Sequence, residues 1–451
     1  MASSLRRNPF KGIPLSIITA HVRFTFAIML CVITCNAAAQ NDTIPIVKNT
    51  IKANRIKTYN NIINNSITKN LNLPLTDSTE ENWEDAFYAM ELINYKQPWV
   101  IEKIKIAFDG VGERSDGFKR ALLELCYTNF KNNFAANAAV LLQKTENAKI
   151  FAMCAEYLFQ SNEKKNYLKK IFSGLSSKNQ IFKKDVLSST IISQLTYPII
   201  ELENNNNPKN KIPFKILFDK NMLEGNIVLY SIQRKNRNYP GIVIVRDSAG
   251  NFITDSSGKI FSVQQLARSI TNLPGYLTNG NTPQGTFRMN GFDVSRSNAI
   301  GPTENIQLMM PFETSPQYFL KDSTITDTAW TIGLYQQLLP KKLQNYQPLF
   351  STYYASAIGR TEIIAHGTTV DPEYYKGQTY YPYTPTQGCL CTKEIWSDKD
   401  GKRIISDQQK LVAAVKKAGG ANGYLIVIEI DDQQKPVSIN EILPYLKTKN
   451  K

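Results

Sequence analysis

Apolar residues change their spacing part-way along this chain of 451 residues, and that switch constrains the fold more than any motif does. From Ser78 to about residue 200 they recur every three or four positions, the period of a helix with one buried face. The stripes read Trp83/Ala86/Phe87/Met90/Ile93, Val100/Ile104/Ala107/Phe108, Phe118/Ala121/Leu122/Leu125, Ala135 to Leu142 and Ile150/Met153/Tyr157/Leu158. Ser78 with Glu81 has the form of a capping box opening the first helix. Pro98, the stretch Gly110 to Asp116 and Asn132-Asn133 punctuate the series, so short helices joined by short turns are expected, as a bundle or a HEAT-like right-angled stack. Four asparagines, Asn204 to Asn207, then Pro208 mark a linker over 201–211. Beyond it come β-branched runs bounded by turn residues, at Ile227 to Ile232, Gly241 to Arg246 and Gly423 to Ile430. Helical stretches there are expected only at about 262–270, 331–342 and 406–418. The expected fold class is α+β and multidomain, with an N-terminal α-helical domain over 76–200 and a mainly β domain over 212–451. Residues 40–75, rich in Asn, Thr, Ile and Lys without a firm period, read as a flexible tether with at most one short helix.

The first 39 residues have the three-part layout of a secretory signal peptide. Arg6, Arg7, Lys11 and Arg23 supply positive charge, Phe24 to Thr34 an apolar run, and Ala37-Ala38-Ala39 small residues for cleavage. The run falls short of the about 20 apolar residues of a membrane span. An uncleaved N-terminal anchor is the alternative, and lipidation at Cys35 a weaker one because Thr34 is large for the position before a lipidated cysteine. Export to the periplasm or cell envelope is therefore expected.

Charge and residue counts then exclude much. Lys and Arg number 53 against 38 Asp and Glu, a net charge of +15, which suits an anionic environment such as a cell-wall polymer. Nucleic acid is not expected as a partner, given export and the lack of a nucleic-acid-binding motif. The chain has two histidines, His21 and His366, and His21 leaves with the leader. Multi-histidine metal sites and histidine relays are thus excluded, and no metal or cofactor is called for. Six cysteines are too few for a disulfide scaffold. Cys126 and Cys154 lie on or beside helical stripes, either as core residues or as one disulfide between neighbouring helices.

The remaining cysteines lie near the remaining histidine. His366 stands in Ile363-Ile364-Ala365-His366-Gly367-Thr368, and about twenty residues on comes Thr386-Gln387-Gly388-Cys389-Leu390-Cys391. A cysteine nucleophile needs a base or a lowered pKa to become a thiolate. A glycine before it lets main-chain N–H groups approach a carbonyl oxygen. A third segment lies upstream, Asn281-Thr282-Pro283-Gln284-Gly285-Thr286-Phe287.

These three segments, in this order, resemble the L,D-transpeptidase catalytic domain, the YkuD family, over roughly 225–435. That family carries a Thr-Pro-x-Gly-Thr-Phe stretch, then His-Gly-Thr after a strand, then Ser/Thr-x-Gly-Cys-aliphatic-Arg. The resemblance implies a YkuD-like fold for the β domain, Cys389 as nucleophile and His366 as general base, with Gly388, Gly367 and Thr386 supporting the oxyanion and the turn. It implies an exported cysteine acyltransferase acting on peptidoglycan stem peptides, by L,D-transpeptidation or L,D-carboxypeptidase-type trimming. The helical domain would be open to other envelope proteins. One position departs from the pattern: the family's Arg two residues after the nucleophile is Cys391, with Lys393 or Arg360 as candidate substitutes for its charge. A Cys-x-Cys ring is strained, so Cys391 is expected as a free or buried thiol. The connection between His366 and Cys389 carries Tyr374, Tyr375, Tyr380, Tyr381 and Tyr383, as a packed loop or as a lid over substrate. The alternative class is a non-catalytic or weakly active wall-binding scaffold that keeps a decayed form of the fold.

Overall fold

The computed structural model describes residues 44–203 and 214–446. The expected leader 1–39, with His21, and residues 204–211 of the expected linker lie outside the described residues. The chain is mixed, with a helical region followed by a closed β-barrel and its covering helices.

The helical region starts earlier than the sequence led us to expect. Helix α1 (Lys52–Asn61) continues through a wider π turn, Ile62–Lys69. Ile67 and Leu71 are fully buried there, so this stretch is packed structure and not a tether. Two buried residues in a polar sequence are too few to show a helical period. Next come α2 (Glu80–Leu92), α3 (Trp99–Phe108), α4 (Asp116–Asn129), α5 (Ala135–Lys144), α6 (Ala148–Gln160), α7 (Lys164–Phe182) and α8 (Val186–Glu203), the last running into the expected linker. The expected stripes are the buried faces of α2 to α6. The capping box forms two residues earlier than expected: the Thr76 amide donates to Thr79 Oγ1 (2.9 Å), ahead of α2. Ser115 and Asn147 cap α4 and α6 by accepting main-chain N–H groups. Helix α6 lies centrally, against α4, α5, α7 and α8. Cys126 and Cys154 are free, fully buried thiols in this core.

The β region comprises β1 (Ile227–Gln233), β2 (Gly241–Arg246), β3 (Val263–Leu266), β4 (Gly285–Asp293), β5 (Asn305–Met309), β6 (Ile364–His366), β7 (Leu390–Thr392), β8 (Glu394–Trp396), β9 (Arg403–Ser406) and β10 (Gly423–Glu429). Eight close into a barrel in the order β1-β10-β4-β5-β6-β7-β3-β2, and β8 pairs with β9 separately. The β1/β10 and β6/β7 pairs are parallel and the other barrel pairs antiparallel. Strands β1, β2 and β10 bury both faces. Leu229, Val243, Val245, Leu425 and Val427 join one core, while Tyr230, Ile232, Ile244, Ile426 and Ile428 join another. That double burial is why they read as unbroken apolar runs. The expected helix over 262–270 is instead β3, where Gln265 pairs with both β2 and β7 and its buried side chain accepts from Ser231 Oγ (2.7 Å). The helix expected at 406–418 is present as Asp407–Lys417, and that at 331–342 is reduced to Ile332–Gln336.

The two regions share one core. Leu273, Tyr276, Leu277 and Ile358 from the β region are buried in the cluster built by α2 to α8. Polar bonds fasten the same contact: Asn279 Nδ2 donates to Glu124 Oε2 (3.0 Å), Tyr276 Oη to Glu156 Oε1 (2.8 Å), and Lys149 Nζ to Thr278 Oγ1 (3.2 Å). Burial pushes both carboxyls, Glu124 and Glu156, up to about 7. With an apolar core and three polar ties, the two regions hold together without a covalent link. A protease site inserted between Asn206 and Asn207 and then cut should leave two fragments that co-elute on size exclusion. Separation of the fragments under native conditions would contradict the shared core.

Candidate functional site

Strands β6 and β7 bring the histidine and the turn that carries Cys389 together. Their parallel register sets Ala365 opposite Leu390 and His366 opposite Cys391. Ala365 and Leu390 face the apolar core, so alternation puts His366, Cys389 and Cys391 on the other face of the sheet. Cys389, just before β7, is half-buried, and its Sγ lies 3.7 Å from the Glu362 carbonyl. His366 is 5% exposed. Its Nδ1 lies 2.5 Å from the Gly367 carbonyl, which can only accept, so Nδ1 carries the proton and Nε2 keeps its lone pair. Burial lowers the imidazole pKa from 6.5 to about 4, so the ring is neutral, and able to take a proton, across the physiological range.

Each flanking residue named from the sequence has a traceable task. Thr386 Oγ1 accepts from the Gly388 amide (3.0 Å) and donates to the Cys389 carbonyl (2.8 Å), closing the turn before β7. The Gly388 N–H is therefore committed to that turn, which corrects its expected part as an oxyanion donor. Its lack of a side chain matters more: φ is +122°, and a Cβ there would overlap the Arg360 guanidinium. A Cβ at Gly367 would overlap the Glu394 carboxyl. The upstream segment reaches the same place, since Thr282 Oγ1 donates to the Gly388 carbonyl (2.8 Å). All three sequence segments thus meet around one turn.

Two groups complete the surroundings. Glu394 on β8 is buried, and its carboxyl accepts from Thr303 Oγ1 (2.6 Å), Ser406 Oγ (2.5 Å) and the Thr368 amide (3.1 Å). Burial raises its pKa against the pull of these donors. It holds the His366-Gly367-Thr368 turn from behind, and nothing in the sequence set this glutamate apart from an ordinary surface acid. Gln408, fully buried, donates to the Ala365 carbonyl (2.9 Å) and accepts from Thr392 Oγ1 (2.9 Å), tying β6 to β7.

Of the two basic residues weighed as substitutes for an arginine at position 391, Arg360 lies against Gly388, while Lys393 Nζ sits over the Tyr383 ring (5.7 Å). Cys391 is a free thiol, 1% exposed, with Thr384 Oγ1 3.9 Å from its sulfur, and burial pushes its pKa up to about 12. The tyrosine-rich connection is packed: Tyr375, Tyr380 and Tyr383 are buried with Leu266, and Tyr381 is exposed. Tyr375 Oη donates to the Leu92 carbonyl (2.8 Å), Tyr383 Oη to Gln264 Oε1 (2.9 Å), and Arg268 stacks over Tyr380 at 4.6 Å. Among the described residues, no group of three or more His, Cys, Asp or Glu side chains could hold a metal ion. No helix among them is long and apolar enough to cross a membrane.

No family model, curated protein or solved structure matches the chain.

Two measurements test this geometry. An imidazole held neutral by burial binds its proton more readily in the unfolded chain, so its contribution is present above pH 6.5 and is lost as pH falls towards 4. Over that interval the wild type should lose up to roughly 3 kcal/mol of stability relative to His366→Gln, read as the pH dependence of the difference in denaturant midpoints. A difference that stays flat with pH contradicts the burial. The enclosed Cys391 site leaves no room for a guanidinium, so Cys391→Arg should destabilise by about 1–3 kcal/mol while Cys391→Ser changes stability less. An Arg variant that melts with the wild type would show that the pocket has space and a partner to spare.

Proposed function

We propose that the protein is an exported cysteine acyltransferase of the L,D-transpeptidase kind, with a YkuD-like barrel, acting on peptidoglycan stem peptides. The observation that carries this is the convergence of three separate segments on the turn that holds Cys389: β6, whose His366 pairs with Cys391 two residues further on, Thr386 and Gly388 in the turn itself, and Thr282 from upstream. The chemistry follows from the residue types. Nε2 of His366 takes the thiol proton, and the Cys389 sulfur bonds to the carbonyl carbon of an L-centre next to a D-residue. The amide C–N bond breaks, and the leaving amine departs with the proton returned by His366, leaving a thioester. An amine of a second stem peptide then displaces the thiol and forms the cross-link, or water does so and leaves a trimmed stem. The oxyanion that forms in each attack would be held by the main-chain N–H of Cys389. The excess of basic residues favours an acidic wall polymer.

A weakly active or non-catalytic wall-binding scaffold draws on one observation, the replacement of the family's Arg by a buried Cys391. The two are separated by treating purified sacculi with the mature chain and weighing the digested fragments. New cross-links or shortened stems are expected, and unaltered fragments would favour the scaffold. A carbapenem-type acylating probe should add its mass to Cys389. Cys389→Ala should abolish adduct and turnover, and His366→Ala should slow both by about 10² to 10⁴. Cys126→Ala and Cys154→Ala should leave labelling intact, because burial holds those thiols protonated. Undiminished labelling of Cys389→Ala would sink the assignment of the nucleophile.

A further inference from the structure

Arg360 is 7% exposed, at a place where a positive charge is costly to bury. Three main-chain carbonyls hold it. Nη1 donates to Gly275 O and to Asn281 O (2.8 Å), and Nη2 to Gly280 O (3.0 Å). These carbonyls form a collar on the segment Gly275 to Asn281. The guanidinium enclosed by that collar packs on the Cα of Gly388, one residue from the Cys389 sulfur. The next residue after the collar, Thr282, bonds the Gly388 carbonyl (2.8 Å). The nucleophile turn is thus held by the collar in two ways, through Arg360 and through Thr282.

The collar is in turn held by the helical region. Between Gly275 and Gly280 lie the three residues whose side chains bond into it: Tyr276 to Glu156, Thr278 to Lys149 and Asn279 to Glu124. Leu277, between them, is fully buried in the helical core. A continuous series of contacts therefore runs from α4 and α6, through the collar and Arg360, to the residue preceding the nucleophile.

We propose that Arg360 is the positioning residue of the nucleophile turn and that the helical region sets it by gripping the collar. The helical region is on this view a working part of the site. The fork geometry suits the task, since guanidinium N–H groups at fixed angles can hold several carbonyls at once. A fixed positive charge beside the turn also favours the thiolate over the thiol. The other titratable groups around the turn are His366 and Cys391 on β6 and β7, Glu362 before β6, and Glu394 behind Gly367. Lys149 on α6 adds a second positive charge that Arg360 feels. The role rests on Cys389 being the reactive thiol.

The test is the pH–rate profile for alkylation of Cys389 by iodoacetamide in the full mature chain, read by peptide mass, with melting curves alongside. Arg360→Gln should slow alkylation about tenfold below the thiol's titration, the equivalent of one pKa unit, and converge with wild type at high pH. Arg360→Lys, which keeps the charge and three donors, should recover most of the rate. Asn279→Ala, which loosens the collar but keeps the guanidinium, should shift the profile in the same direction by about two- to fivefold. A folded Arg360→Gln protein with the wild-type profile overturns the proposal, as does a Lys variant as slow as the Gln variant. If Arg360→Gln does not fold, an unchanged profile for Asn279→Ala is the overturning result. Iodoacetamide needs neither stem peptide nor acceptor amine. A wild type that is alkylated readily but leaves sacculi unaltered would remove the transpeptidase assignment and leave the positioning role standing. Cross-linking that persists with wild-type alkylation profiles in all three variants would do the reverse.

Discussion

A guanidinium taken out of water has to be given acceptors, and the site is arranged around that requirement. Arg360 finds its acceptors in main-chain carbonyls, which fixes where the segment Gly275 to Asn281 must lie. Once that segment is fixed, residue 388 has no space for a side chain, and a glycine at positive φ follows. The turn before β7 then takes its shape from Thr386 and Thr282, and the thiol of Cys389 takes its direction from the turn. The buried carboxyl of Glu394 makes the corresponding demand on the other side, where it excludes any side chain at residue 367. Each glycine is thus dictated by a buried ionisable neighbour far from it in sequence.

How much of this was legible depended on what kind of signal each part leaves. Helices α2 to α6 repeat a one-sided apolar stripe over several turns, so their positions and buried faces could be read directly. Strands β1, β2 and β10 were legible because they are buried on both sides and β-branched. Strands β6 and β7 are three residues each, too short to show a period, and only the motif residues on them drew the eye. The stretch 52–69 hides its helix in a polar composition, because most of its surface faces solvent and few apolar residues are needed. β3 misled because its buried polar Gln265 breaks the alternation a strand normally shows.

The candidate site divides in the same way. Cys389, His366, Gly388, Gly367 and Thr386 stand in short local patterns, where type and spacing carry chemistry. Glu394 stands in none, since a glutamate in a hairpin is an ordinary surface residue until the fold encloses it, and Arg360 was named only as one of two candidates for a charge, with no local sign of the carbonyls that hold it. The contact between Asn279 and Glu124 spans more than 150 residues of sequence, and no local pattern could announce it. The tyrosine-rich connection was open between packed loop and lid. The burial of Tyr375, Tyr380 and Tyr383 and their ties to Leu92 and Gln264 place it as packed structure.

The shared core also bears on how the chain comes to be folded. Synthesis releases the helices first, when the side chains that complete their core, Leu273, Tyr276, Leu277 and Ile358, have not yet been made. Until they arrive, the helical half presents an apolar surface that they would cover, and Glu124 and Glu156 lack the hydrogen-bond donors Asn279 and Tyr276. Such a half-made chain resists early closure, because its best-packed state needs residues at the far end of the molecule. Under the export proposed above, late completion of the core would keep the chain in a form that can still be passed through a membrane.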